Sequence, residues 1–161
     1  MFAVPARATL ACTDYRLACD TNLRHSDPPR KIAKQMFYLF AKIREIDAAM
    51  TPALQARIVE CHPEVAFWAI NGNVALDEPK KRKSSPYPPG LELRRNLLRS
   101  AGYIGDFLNG PDCRRRDAAP DDLLDACATA WTANRLATGA AERFPDMPAQ
   151  DGRGLRMEIV F

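Results

Sequence analysis

Acidic side chains in two separate segments are the residues of this sequence best suited to chemistry. Glu60 lies near the end of the apolar segment 56–61, and Asp122 and Asp125 follow the start of a helical pattern at Pro120. Carboxylates that come from separate elements of a fold are the ligands that Mg²⁺ and Mn²⁺ prefer. These ions activate water for phosphodiester hydrolysis and stabilise the charge that develops on the phosphate. The residue types therefore suggest one catalytic metal site, with Glu60, Asp122 and Asp125 as ligands and Mg²⁺ or Mn²⁺ as cofactor.

Each of these acids also has a purely structural interpretation. Glu60 could face solvent at the edge of a strand. Asp121 could cap the helix that follows it, and Asp122 could complement the dipole of that helix. Capping accounts less well for Asp125, which lies one turn further in and on the same helical face as Asp122. From the residues alone, both interpretations stay open.

Other catalytic motifs are missing from the sequence. It has no glycine-rich phosphate loop, no G-x-S-x-G and no H-E-x-x-H, and it contains only two histidines. Its five cysteines are odd in number and never form a C-x-x-C pair, which argues against a disulfide framework and a zinc ribbon. Reduced thiols of this kind fit a cytoplasmic protein, and we expect that location. The cysteines are Cys12, Cys19, Cys61, Cys113 and Cys127.

Four consecutive basic residues, Lys80, Lys81, Arg82 and Lys83, lie in a segment rich in proline and serine. Such a run could contact the phosphates of a nucleic acid. The alternative is a solvated, mobile surface loop, because Tyr87 is the one aromatic residue near it. We carry the basic run forward as the candidate nucleic-acid contact.

The overall composition indicates a globular domain without a membrane partner. The 161 residues include 23 Lys and Arg against 20 Asp and Glu, and the net charge of +3 is too small to indicate nucleic-acid binding by itself. A chain of this length can bury enough apolar surface for one hydrophobic core but too little for two. No segment approaches the roughly 20 apolar residues of a membrane span, and the N-terminus lacks the pattern of a signal peptide.

The elements that would position these side chains are mostly helices. The β-branched residues of 56–61 and the alternation over 155–161 predict two strands. Two strands cannot form a robust sheet on their own. Either they pair with strands outside this chain, or the amphipathic helices form the core and the strands are marginal additions. Apolar spacing and helix boundary signals predict helices over 8–23, 31–50, 64–70, 91–98 and 120–136.

Several segments resemble the C-terminal part of a bacterial and archaeal family, the domain of unknown function 429 (DUF429). The closing DGRGLRMEIVF is also similar to the end of that family, and the order and spacing of the segments agree over nearly the whole chain. They are VPAR at 4–7, KQMFYLFAKIREID at 34–47, VECHPEVAF at 59–67 and DDLLDACATAWTA at 121–133.

The resemblance implies a predicted nuclease with a ribonuclease H-like fold of the α/β class. Family members begin with further strands that carry an early aspartate, and this chain starts after them. The expected fold is therefore one domain over residues 1–161, an N-terminally incomplete, helix-rich C-terminal portion with few strands. The residues that match the family's motifs are Glu60 of E-x-H-P-E, with His62 and Glu64 close by, and Asp122 and Asp125 of D-D-x-x-D.

The expected function is that of a metal-dependent nuclease-like hydrolase that acts on nucleic-acid phosphodiesters and is inactive or weakly active as this chain alone. The alternative is a non-catalytic binding or interaction module derived from the same fold. Unpaired edges of apolar strands invite association. We therefore expect either a homodimer or strands supplied by a missing N-terminal portion.

Overall fold

Helices dominate the computed structural model, which describes residues 4–83, 85–110 and 117–161. Within these residues there are six α-helices and two small antiparallel sheets, which confirms the expected α/β class with few strands. The chain divides into two compact units, Met1–Leu54 and Gln55–Phe161. The single domain over 1–161 stays a prediction.

The first unit is built from helices that the sequence predicts as longer segments. Asp14 divides the predicted helix over 8–23, because its carboxylate accepts a hydrogen bond from the Leu17 N–H (2.9 Å) and starts a new helix. The elements are a 3₁₀ helix at Arg7–Ala11, α1 at Tyr15–His25, α2 at Lys34–Tyr38 and α3 at Phe40–Ala49.

The single helix predicted over 31–50 is wrong, because the chain breaks it at Leu39. There the Leu39 N–H donates to the Met36 carbonyl three residues back (3.0 Å), and this tighter turn shifts the phase of the apolar positions. Phe40 is buried, but Leu39 and Ile46 are 40% and 63% exposed. The continuous apolar stripe is therefore not buried as one face.

The second unit contains three α-helices among its described residues, and each begins at a proline. Proline suits a first helical position because its missing N–H would have no partner there. The last of these helices ends at Gly139, whose φ of +74° is the left-handed conformation that favours glycine. The helices are α4 at Pro63–Ile70, α5 at Pro88–Ser100 and α6 at Pro120–Thr138.

These three helices pack on one another around a buried apolar core. Phe67 of α4, Leu98 of α5 and Leu124 and Ala128 of α6 have no exposed surface. The start of α6 carries the acidic motif, which consists of Asp121, Asp122 and Asp125. The core holds this start beside the segment that joins α4 to α5. None of the described helices combines the length and apolar character that a membrane span requires.

Two short hairpins complete the second unit. Strands β1 (Lys81–Arg82) and β2 (Ser85–Pro86) form one sheet, and β3 (Arg143–Phe144) and β4 (Ile159–Val160) form the other. The predicted strand over 155–161 is thus confirmed only at its end.

The predicted strand over 56–61 is wrong, because a 3₁₀ helix at Leu54–Ala56 and an irregular segment take its place. The two segments still meet. The Val160 N–H donates to the Glu60 carbonyl (2.8 Å), and the Gln55 side-chain amide bonds both to the N–H and to the carbonyl of Arg156 (2.8 Å each). Backbone groups that we expected at open strand edges therefore find partners within the chain.

The four cysteines that the structure describes are free thiols. Burial raises the pKa of the Cys61 and Cys127 thiols, although a hydrogen bond with Thr132 partly offsets the effect at Cys61. Cys113 lies outside the described residues.

Candidate functional site

The first two turns of α6 hold the acidic motif, and its three aspartates, Asp121, Asp122 and Asp125, have different environments. The Asp122 carboxylate is exposed and accepts a hydrogen bond from the Ala119 N–H (2.8 Å). This bond satisfies one of the free N–H groups at the helix start. Asp122 therefore caps the start of α6, a role that the structural interpretation of the sequence gave to Asp121.

Asp121 and Asp125 lie one helical turn apart on the same face of α6. The side chain of Asp121 is 3% exposed and that of Asp125 is 24% exposed. In each carboxylate one oxygen, Oδ1, is buried and has no hydrogen-bond partner within the described part of the chain. Buried carboxylate oxygens normally have partners, so this face has unused capacity to accept a hydrogen bond or bind a cation.

The other carboxylate oxygens bind lysines from the basic run. Lys80 Nζ lies 2.5 Å from Asp125 Oδ2, and Lys81 Nζ lies 2.7 Å from Asp121 Oδ2. The hydrogen bond with Asp121 raises the pKa of Lys81, and the negative charges of Asp121, Asp122 and Asp125 add to this effect against the opposing effect of burial. The Lys81 ammonium group is therefore charged at neutral pH.

Part of the basic run forms the short hairpin of β1 and β2, while its mobility and its contact with nucleic acid both stay predictions. The Tyr87 N–H donates to the Lys80 carbonyl (2.9 Å), and the Arg82 guanidinium lies 3.8 Å from the centre of the Tyr87 ring. Arg82 also pairs with Glu78 (3.3 Å). Lys80, Lys81 and Arg82 thus have ion-pair partners, and a nucleic-acid phosphate would have to compete with them.

The segment before the hairpin is fixed against α5. Arg94 donates from Nη1 to the carbonyls of Glu78 (3.0 Å) and Gly90 (2.7 Å). A Cβ atom on Gly90 would lie 2.0 Å from the carbonyl oxygen of Pro79, so only glycine permits this approach. The segment that supports Lys80 is therefore held at two successive residues.

In the E-x-H-P-E segment at Glu60, the two neighbours His62 and Glu64 have structural roles. The His62 side chain accepts a hydrogen bond from the Glu64 N–H (3.2 Å) and caps α4. The Glu64 carboxylate accepts two hydrogen bonds from Arg94 (3.0 and 2.6 Å). Glu60 itself is exposed, and its backbone carbonyl binds the Val160 N–H.

Among the residues described, no group of three or more His, Cys, Asp or Glu side chains could hold a metal ion. Glu60, Asp122 and Asp125 therefore do not form one such group. Asp122 instead caps α6, and Asp125 binds Lys80. Their catalytic role stays a prediction. The sequence interpretation treated Asp121 as a cap, although its spacing of four residues from Asp125 already placed the two on one face.

Comparison with known proteins gives one family. The model of the family described as "Protein of unknown function (DUF429)" matches residues 1–150. No curated protein matches the chain, and no solved structure does.

Proposed function

The chain belongs to the DUF429 family, and on that premise we propose that it is a metal-dependent nuclease-like protein, inactive or weakly active by itself, that acts on nucleic-acid phosphodiesters. One observation carries the proposal. Asp121 and Asp125 of α6 each bind an ammonium group with one oxygen, and the other oxygen is buried without a partner among the described residues. This face of α6 is suited to bind cations.

The residues present fit part of a divalent metal site. Asp121 and Asp125 offer two carboxylates, and hard oxygen ligands of this kind suit Mg²⁺ and Mn²⁺. A bound metal ion would supply an activated water and stabilise charge on the phosphate. No third acid joins the two aspartates in a metal-binding group within the described residues. Weak or absent activity of the isolated chain follows from this incomplete ligand set.

The lysine partners give the basic run two roles in this proposal. Lys80 and Lys81 neutralise the two carboxylates when no metal ion and no nucleic acid are bound. Phosphates of a nucleic acid would compete with the carboxylates for the lysines, since both are anions that bind ammonium groups. Release of the lysines would free oxygen atoms of Asp121 and Asp125 for a cation.

A non-catalytic binding module is the second candidate, and the same ion pairs favour it. If Lys80 and Lys81 bind the aspartates permanently, the pairs serve only to fix the hairpin on α6. The chain would then bind partners without any metal ion.

The two candidates differ in Mn²⁺ binding, which calorimetry measures directly. We expect the wild-type chain to bind Mn²⁺ weakly and the Asp121→Asn/Asp125→Asn variant to lose this binding. The Asp106→Asn variant removes an exposed acid elsewhere in the unit and serves as the control. Cleavage of single-stranded DNA and RNA is assayed in parallel with Mn²⁺. Absence of Mn²⁺ binding by the folded wild-type chain, with or without nucleic acid, would refute the metal-dependent proposal and leave the binding module.

A further inference from the structure

A cavity of about 450 Å³ lies in the second unit between α4, α5 and the segment that follows α4. Its walls include Glu64 and Trp68, which are one turn apart on α4, and Leu76 and Asp77 from the following segment. Arg94 of α5 closes one side. The volume is in the range of sites that hold small molecules.

The positive charge of Arg94 is already neutralised and is not open to a ligand. Its side chain is 3% exposed, and Nε and Nη2 donate to the two oxygens of the Glu64 carboxylate. Its remaining bonds go to the carbonyls of Glu78 and Gly90. An anion entering the cavity would find no free guanidinium to bind.

The cavity wall has an excess of negative charge. The Glu78 carboxylate is paired with Arg82, so the carboxylates of Glu64 and Asp77 against the guanidinium of Arg94 leave a net formal charge of −1. Asp77 is exposed and has no hydrogen-bond or ion-pair partner among the residues the structure describes. The Glu64 side chain is still 35% exposed beside its bonds to Arg94. Its oxygens can therefore accept a further hydrogen bond from a ligand.

The apolar wall complements this charge. Trp68 offers a large aromatic surface, and its ring is held in place by Phe144 and Phe161 at centroid distances of 5.5 and 5.6 Å. The face of an indole ring attracts cations more strongly than any other side-chain ring. Leu76 adds apolar surface next to Asp77.

We propose that this cavity binds a small organic cation, an ammonium or guanidinium group on a short apolar chain. The charged head binds the carboxylates of Glu64 and Asp77, and the chain packs on Trp68 and Leu76. The site is separate from the aspartates of α6, so the proposal stands or falls independently of the metal-dependent function.

Tryptophan fluorescence provides the test, because the sequence contains only two tryptophans, Trp68 and Trp131. The Trp131→Phe variant keeps an aromatic ring at that position and leaves Trp68 as the single reporter. The probes are n-butylammonium, n-butyrate and n-butanol, which share their chain and differ in charge. We expect a saturable change with n-butylammonium and none with the other two.

Variants at two exposed acids locate the site. In the Trp131→Phe background, Asp77→Asn should weaken n-butylammonium binding by about fivefold, the effect of losing one exposed ion pair. Asp106→Asn, which removes a charge outside the cavity, should leave the affinity unchanged. Glu64 is not altered, since its loss would leave the buried Arg94 without its partner.

The proposal of a cation site would be overturned by the absence of a saturable response to n-butylammonium, by equal binding of n-butyrate, or by the same affinity in Asp77→Asn and its parent. A second probe, N-acetyllysine amide, tests the source of the cation. If this probe binds no more tightly than n-butylammonium, the natural ligand is a free amine. Clearly tighter binding would overturn the free amine and assign the cavity to a lysine side chain of a polypeptide.

Discussion

The Nζ atom of Lys80 lies 2.5 Å from Oδ2 of Asp125, although 45 residues separate the two in the chain. Lys81 makes the equivalent contact with Asp121 one turn earlier on α6. The basic run and the acidic motif therefore bind each other, and each limits what the other can bind. Competition for these four charges is the central feature of the proposed function.

Removal of Arg94 should be strongly destabilising. Arg94→Ala leaves the Glu64 carboxylate and the carbonyls of Glu78 and Gly90 without their donor, at a cost of about 3–5 kcal/mol in the free energy of unfolding. Arg94→Lys keeps the charge but not the two-pronged contact, so its cost should be intermediate. Arg99→Ala, at a side chain that is 40% exposed, should cost less than about 1 kcal/mol. Urea unfolding measures all three, and equal costs for Arg94→Ala and Arg99→Ala would contradict the buried role of Arg94.

A methyl group at residue 90 should displace the segment that supports the lysines. Gly90→Ala places Cβ against the Pro79 carbonyl oxygen and should lower the free energy of unfolding by about 1–3 kcal/mol. Gly152→Ala is the control, because nothing lies within 4 Å of its Cβ position. Its effect should stay within about 0.5 kcal/mol. Comparable stability of the two variants would show that Pro79 does not pack against Gly90.

The helices of the second unit could be predicted from the sequence because their signals are local. Pro63 and Pro120 suit first helical positions, and Gly72 and Gly139 adopt positive φ where α4 and α6 end. Such signals act within one turn of the chain. These boundaries could therefore be predicted to within a few residues.

The contacts that define the candidate site are not local and could not be predicted. No sequence pattern predicts the ion pair between Lys80 and Asp125. Ion pairs between distant segments depend on how the intervening helix α5 packs against α6. The strand predicted over 56–61 fails for a related reason. Gln55 bonds the Arg156 backbone with its side chain, which removes the need for a neighbouring strand.

High pH should weaken the contact between Lys81 and Asp121. The hydrogen bond with Asp121 raises the pKa of Lys81, so its contribution to stability is complete below the ordinary lysine pKa of about 10.4. It is lost as the pH rises through the higher pKa of the folded state.

The measurement is the difference in unfolding free energy between the wild-type chain and Lys81→Met as a function of pH. Raised pKa values of Cys61, Cys127 and Tyr103 also lower stability at high pH, but both proteins share them and the difference removes them. The difference should be constant near neutral pH and shrink only in the alkaline range. Shrinkage already near neutral pH would contradict the assignment.

The homodimer predicted from the sequence stays a prediction, and exposed apolar residues suggest where to test it. In the second unit Ile104 and Met147 are 88% and 90% exposed. Large exposed apolar side chains favour association. We expect sedimentation equilibrium to detect a dimer that Ile104→Lys/Met147→Lys weakens. A wild-type chain that sediments as a monomer at all concentrations would contradict the prediction.

The most direct test of the central claim is the Mn²⁺ affinity of the Lys80→Met/Lys81→Met variant, measured by calorimetry. The variant removes the two ammonium groups that bind Asp121 and Asp125, so the affinity of these carboxylates for Mn²⁺ should rise by about tenfold over wild type. Lys34→Met/Lys42→Met removes two exposed lysines of the first unit and should leave the affinity unchanged. An unchanged affinity in the Lys80→Met/Lys81→Met variant, with its fold intact by circular dichroism, would contradict competition between lysines and metal for these aspartates.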